Sequence, residues 1–405
     1  MALRRLRALL ACALLAAAAA QAQDFPRLMG MNIGAKHYDD PLYQEQLARL
    51  DVVVLGFHRG WNPHRYAATP AAAMRKVLQA LETNNPHLLV GQYTVLNEAY
   101  DDPRDAATLD LRAKLHGEKW WLRNAAGRKV QWTSRYSTWE TNFTPWATPD
   151  REGRRWPEWL AERNHAVYFR DVPEFDLVFL DNVMNPPRVQ GDWDGDGAND
   201  DPKDAKILQA HFAGHAAHWR RLRELMPGKL LIANVDRDLS NPQWRGVLDG
   251  AFLEGLMGER WSIETWGGWQ AMMQRYRAVL ANTRAPKLVG FNVHGDPQDL
   301  RFFRYAYASC LLDDGYFSFT DKARGYGSVP WFAEYDHALG NATSTPPRAP
   351  WRDGVWRRDF ERGAVLVNPT RTAQTVELEP GLRRLDGAEL RRVRLSAKDG
   401  IVLRR

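Results

Sequence analysis

The chain has 405 residues, 44% of them hydrophobic and 26% charged, an ordinary globular composition that excludes collagen-like, disordered and multi-span membrane classes. An α/β barrel of about 250 residues would fit this length with room for a small appendage. The formal charge of +6 is unevenly placed: three arginines precede residue 8, and residues 351–405 carry 13 Lys and Arg against 8 Asp and Glu. The stretch between is close to neutral and has no basic stripe interleaved with aromatics, which argues against nucleic acid as a partner.

The first 22 residues read as a secretory signal. Arg4, Arg5 and Arg7 precede an apolar run from Ala8 to Ala20, and the small-residue triplet Ala20-Gln21-Ala22 predicts cleavage before Gln23. The run is too short to span a bilayer, so the mature chain is expected to be secreted or periplasmic, without membrane insertion. Eight apolar, β-branched runs follow: Leu28 to Ile33, Val52 to Phe57, Leu88 to Val95, Leu177 to Leu180, Leu230 to Val235, Ala251 to Leu253, Leu288 to Val293 and Tyr316 to Phe319. Between them, segments such as Ala71 to Glu82, Asp204 to Leu225, Trp269 to Asn282 and Asp299 to Leu312 carry apolar residues three and four apart, the helical spacing. Eight strands alternating with helices predict a (β/α)8 TIM barrel over residues 23–342. A doubly wound sheet would need a Gly-rich turn after its first strand, and Met31-Asn32-Ile33-Gly34-Ala35-Lys36 is not one.

Seven of the seventeen tryptophans fall between Trp120 and Trp159, in the long connection after the third strand. They predict either a subdomain with its own core or a wall of rings for sugar stacking. Residues 343–350, Thr-Ser-Thr-Pro-Pro-Arg-Ala-Pro, read as a linker. Beyond it, short alternating runs at Val355 to Phe360, Gly363 to Asn368, Thr375 to Leu378, Gly381 to Leu385, Leu390 to Leu395 and Gly400 to Leu403 predict a small antiparallel β-sandwich-like domain over 351–405. Cys310, left alone once Cys12 departs with the signal, is expected to be a buried inert thiol.

Barrel chemistry sits at the C-terminal ends of strands. Asp181 follows Leu177-Val178-Phe179-Leu180 and Glu254 follows Ala251-Phe252-Leu253, at the fourth and sixth strands. A carboxylate closing a buried run costs several kcal/mol, of order 3 to 5, unless a pocket or a partner compensates it. Two such groups across one barrel mouth suit glycosidic bond cleavage, in which one donates a proton and the other attacks or steadies the sugar cation. Asn32, His58, Arg59, Tyr93, Asn182, Asn234, Asp236, Asn292, His294 and Asp321, all at strand ends, are candidate substrate contacts, and Asp236 competes with Glu254 for the acid role. His58 and Arg59 are expected to keep Asp181 ionised and burial to keep Glu254 protonated.

Phe179-Leu180-Asp181-Asn182-Val183, Phe252-Leu253-Glu254-Gly255, the opening Gly30-Met31-Asn32 and the acidic loop described next together resemble the bacterial hypothetical glycosyl hydrolase family 15 over roughly residues 26 to 340. The resemblance to the endo-α-1,4-polygalactosaminidases is more distant. The family resemblance implies a TIM barrel glycosidase with Asp181 as nucleophile and Glu254 as proton donor. Retention of configuration is the expectation, with inversion the alternative, because the gap between the carboxylates, about 5 to 5.5 Å for retention and about 6.5 to 9.5 Å for inversion, is not readable from sequence.

Asp192, Asp194, Asp196 and Asp200, with Gly197 between, match the first part of a calcium loop, although Lys203 stands where the bidentate Glu belongs. Structural Ca²⁺ is the expectation there, and no organic cofactor is expected. His211, His215 and His218 recur at helical spacing and read as ordinary helix residues; zinc-hydrolase and esterase signatures are absent. The function expected is that of an exported glycosidase acting on an oligo- or polysaccharide, and the alternative is a carbohydrate-binding barrel without catalysis.

Overall fold

The computed structural model describes residues 24–34, 37–57 and 63–405; the expected export signal, His58 and Arg59 lie outside them. In chain order the strands are β1 (Met29–Asn32), β2 (Val52–Leu55), β3 (Leu89–Val95), a short antiparallel pair β4 (Glu98–Tyr100) and β5 (Thr138–Glu140), then β6 (Leu177–Val183), β7 (Leu230–Val235), β8 (Gly250–Met257), β9 (Leu288–Gly295) and β10 (Tyr316–Asp321). Eight of these make one parallel sheet in the order β1-β2-β3-β6-β7-β8-β9-β10, the (β/α)8 arrangement. All eight sequence runs became its strands, because a strand covered on both faces needs an unbroken apolar run, as the wholly buried Val52-Val53-Val54-Leu55 illustrates. Beside the ends of the sheet, the Phe317 amide donates to the Arg27 carbonyl at 2.8 Å.

The described helices are α1 (Pro41–Ala48), α2 (Pro70–Asn84), α3 (Leu109–Gly117), α4 (Trp156–Asn164), α5 (Ala205–Leu225), α6 (Ile263–Asn282) and α7 (Leu300–Leu311). Their starts are encoded locally. Thr69 accepts from the Ala72 amide and Asp40 from the Leu42 amide, each followed by a proline whose missing N–H costs a first turn nothing. Helix α2 then buries Ala73, Met74, Val77, Leu78 and Leu81 along one stripe. Inside the sheet, Gly290 admits the Phe252 ring and Met29: a β-carbon there would lie 2.9 Å and 2.8 Å from them.

The described residues divide into two compact units, those within 28–296 together with 318–329, and 24–27 together with 297–317 and 330–405. The second unit pairs β11 (Trp356–Phe360), β12 (Gly363–Asn368) and β15 (Asp399–Arg404) in one antiparallel sheet and β13 (Gln374–Glu377) with β14 (Arg392–Leu395) in another. Val355, Leu366, Val376, Leu382, Val393 and Leu403 are among its core residues. Gly381 to Leu385 is not a strand, contrary to its alternating pattern. Gly381 (φ +92°) and Gly387 (φ +94°) turn the backbone, and Arg383 alone forms isolated bridges. Cys310 is buried.

In the long connection, Trp120, Trp121 and Trp156 are buried with Leu96, Leu115 and Phe143 in a core of their own, and Trp139 and Trp159 pack against it. Most of the tryptophan cluster is therefore structural. His211, His215 and His218 are buried in α5, and burial pushes them down, His211 to about 3 and His218 to about 4, which keeps the imidazoles neutral.

Candidate active site

Strand β6 carries Asp181 after four buried residues, and its register with β7 slips between Leu180 and Val183. The residue after the acid, Asn182, has φ +58°. Strand β8 repeats the device: its register with β9 slips between Leu253 and Met257, and Gly255, which follows Glu254, has φ +56°. A bulge re-aims the side chain beside it. At Gly255 a β-carbon would also lie 2.2 Å from the Trp261 ring, so glycine is required there on two counts.

Between these strands, β7 supplies Asn234. Its Nδ2 donates to Asp181 Oδ1 at 2.9 Å and to Glu254 Oε2 at 2.7 Å. The two carboxylate oxygens therefore lie no further apart than these two bonds laid end to end. Each carboxylate has a second donor on its other oxygen: the Tyr93 hydroxyl bonds Asp181 Oδ2, and the Tyr326 hydroxyl bonds Glu254 Oε1. Burial, reinforced by the charge of Asp181, pushes Glu254 above its ordinary value of 4.5, although the bonds from Tyr326 and Asn234 pull the other way. Burial first, and then the neighbouring carboxylates, push Tyr93 and Tyr326 well up, so both stay neutral hydrogen-bond donors.

The pair opens on a cavity of about 1470 Å³, larger than the roughly 300–1,000 Å³ that holds a drug-sized ligand. Of the candidate contacts, Tyr93, Asn182, Asn234, Asp236, His294 and Asp321 line it. Asn182 donates to Glu98 at 3.1 Å, and His294 reaches Tyr326 (3.4 Å) and Glu259 (3.2 Å). Asp236 is pushed up by burial and accepts from the Asn185 amide at 3.2 Å. Asp321 caps the turn after β10, accepting from the Ala323 amide at 2.8 Å. Asn32 and Asn292 are fully buried. Asn32 accepts from the Tyr43 hydroxyl; Asn292 accepts from the Gly255 amide at 3.0 Å and donates to Thr320 at 3.0 Å, so it holds the backbone next to Glu254.

Sequence reasoning did not single out Tyr326, Glu98, Arg188, Trp261 or Trp266. Tyr326 sits five residues past the last strand-end acid, in the turn Arg324-Gly325-Tyr326-Gly327, where only the folded loop returns its hydroxyl to Glu254. Arg188 bridges Glu98 (3.2 Å) and Glu140 (2.9 Å); burial pushes Glu140 up to about 7 against the pull of that guanidinium.

In the acidic loop, Asp192, Asp194 and Asp200 bring ligand-type oxygens within 4.8 Å of one another. Asp196 instead accepts from the Ala198 amide at 2.8 Å. The Lys206 ammonium lies 2.7 Å from Asp194 and 3.1 Å from Asp200, the position of a cation.

The sequence profile of hypothetical glycosyl hydrolase family 15 matches residues 89–364. No functionally curated protein matches the chain. Among solved structures the chain is similar to an Anoxybacillus alpha-amylase, at 12% identity and TM-score 0.51 over 93% of this chain and 97% of that one. It is similar to Eubacterium rectale Amy13B at 10% identity and TM-score 0.52, over 94% and 96%. The glycoside hydrolase domain of PelA from Pseudomonas aeruginosa matches at 16% identity and TM-score 0.46, over 75% and 97%.

Proposed function

The chain belongs to hypothetical glycosyl hydrolase family 15 and is a glycosidase, and from that premise we propose that it cleaves O-glycosidic bonds of an oligo- or polysaccharide with retention of configuration, Asp181 acting as nucleophile and Glu254 as acid and base. The observation that carries this reading is the shared Asn234 amide, with its bonds of 2.9 Å and 2.7 Å. Because Asp181 Oδ1 and Glu254 Oε2 lie no further apart than these two bonds laid end to end, it supports the short separation of retaining enzymes, about 5 to 5.5 Å, at which the second carboxylate reaches the sugar itself, over the roughly 6.5–9.5 Å of inverting enzymes, which leaves room for a water.

Asp181 attacks the anomeric carbon as the glycosidic C–O bond breaks, and the departing oxygen takes the proton of Glu254. The Glu254 carboxylate then removes a proton from a water, and that water attacks the same carbon. The bond to Asp181 breaks, releasing the sugar with its original anomeric configuration and restoring the Asp181 carboxylate. Tyr93 and Asn234 hold Asp181 with both oxygens aimed, and the raised affinity of Glu254 for a proton suits a general acid.

Proton NMR of the first product formed from a cleaved polysaccharide should show the retained anomer; an inverted first product overturns the double-displacement reading. D181N should abolish turnover, and E254Q should cost about 10²–10⁴-fold. If E254Q is nearly silent and D236N instead costs about 10²–10⁴-fold, the acid role passes to Asp236.

The basic, apolar and small-residue pattern of residues 1–22 supports export as part of the same proposal. The three converging aspartates support a weak Ca²⁺ site at which Lys206 competes.

A further inference from the structure

Four tryptophans are largely exposed among the described residues: Trp132 (45%), Trp146 (39%), Trp261 (56%) and Trp266 (69%). Three of them, all but Trp146, line the cavity that holds the two carboxylates, as does the half-exposed Tyr136. A ring left in water gives up the burial that would otherwise stabilise the fold, so rings gathered on one cleft point to a ligand with apolar faces.

Their placement follows from a continuous line of contacts. Trp132 stacks under the Arg188 guanidinium, 4.7 Å from its ring centroid, and Arg188 reaches Glu98 at 3.2 Å. Glu98 accepts from Asn182 at 3.1 Å, and Asn182 is joined to Asp181. Asn234 links Asp181 to Glu254. Gly255 follows Glu254 and lies against the Trp261 ring, and the Trp266 indole donates to the Trp261 carbonyl at 3.2 Å. The aromatic groups thus stand at the two ends of this line and the carboxylates at its middle. The strands agree: Trp132 lies in the connection between β3 and β6, and Trp261 and Trp266 follow β8.

Both ends are braced. Tyr136 packs beside Trp132 with ring centroids 6.0 Å apart. At the other end, buried Ser262 donates to the Gly255 carbonyl at 2.5 Å and accepts from the Glu259 amide at 2.9 Å, and His294 meets the Trp261 ring edge to face at 5.8 Å. A loop held this way loses little freedom when a ligand settles on it.

We infer that Trp132 on one side and Trp261 with Trp266 on the other are sugar-stacking platforms, and that the substrate is a glycan chain continuing past the cleaved bond in both directions. This rests on the glycosidase reading of Asp181 and Glu254. The cavity of about 1470 Å³ accommodates such a chain.

The test uses the full-length chain. D181N, and D181N carrying W132A or W266A, are run through native gels containing soluble starch, dextran, galactan or partially acetylated chitosan, and wild-type protein is assayed for reducing ends on the same four polymers. The expected result is retardation of D181N by at least one polymer, weakened about tenfold by each tryptophan change separately and restored by W132F and W266F. Retardation that survives both alanine changes, or responds to only one of them, overturns the two-sided inference, as does the absence of retardation on every polymer. Release of reducing ends with no effect of either tryptophan change leaves the glycosidase mechanism standing without this inference. Retardation that depends on both tryptophans, with no reducing ends released from the retarding polymer, supports the inference and counts against the proposed chemistry.

Discussion

Asn234 uses both hydrogens of one amide nitrogen on two carboxylates from neighbouring parts of the barrel rim. A neutral donor in that position restrains both acids without adding a charge that would favour ionisation of both. Burial and the charge of Asp181 raise Glu254, and the Tyr326 hydroxyl bond opposes them because it stabilises the ionised form. The sign of a test follows. Removing that donor raises Glu254 further, so Y326F should move the alkaline limb of the kcat/KM profile to higher pH by about one unit. Profiles of wild type and Y326F measure it, and a limb that stays or moves down would falsify Glu254 as the proton donor. Asp181 and Glu254 were legible because each interrupts a buried run; Tyr326 was not, because its surroundings carry no apolar pattern and only the loop path brings it back.

Strands were the most readable elements. A run such as Leu230 to Val235 is nearly all apolar because β7 is covered on both faces, and that requirement is written along the chain. The bulges after Asp181 and Glu254 were less readable: Asn182 and Gly255 are compatible with a left-handed residue but do not demand one until the neighbouring strand and the Trp261 ring are in place. The acidic loop shows the same limit. Its spacing matched a calcium loop, yet folding put the Lys206 ammonium among its aspartates and turned Asp196 onto the backbone. Calcium has to displace that ammonium, so millimolar Ca²⁺ should raise the melting temperature of the wild type by only a few degrees, about what 1 kcal/mol produces. K206A should respond at lower concentration. Calorimetric scans with calcium and with EDTA test this, and no response in either protein removes calcium from the account.

At the scale of the whole molecule, the charge map separates a near-neutral body from a basic C-terminal segment, and residues 1–22 carry the basic and apolar pattern on which the proposal of export rests. Export predicts that protein recovered from the periplasm or medium of an expressing bacterium has a mass corresponding to a start at Gln23; intact mass spectrometry of a full-length, cell-retained chain would count against it. The tryptophans, by contrast, could not be assigned by counting. Trp120 and Trp121 are core and Trp132 is cavity wall although they are near one another in sequence, while Trp132 and Trp261 line one cavity although 129 residues separate them.

What the sequence determined by itself is whatever a local pattern must satisfy: which runs are strands, which segments are amphipathic, which carboxylates close an apolar run, and hence the barrel and its two acids. What only the tertiary structure decided is convergence. A single amide between two carboxylates, a tyrosine returning from a distant loop and tryptophans divided between core and cleft depend on how far apart side chains end up in space. Burial leaves a periodic trace along the chain, whereas a contact between remote residues leaves none.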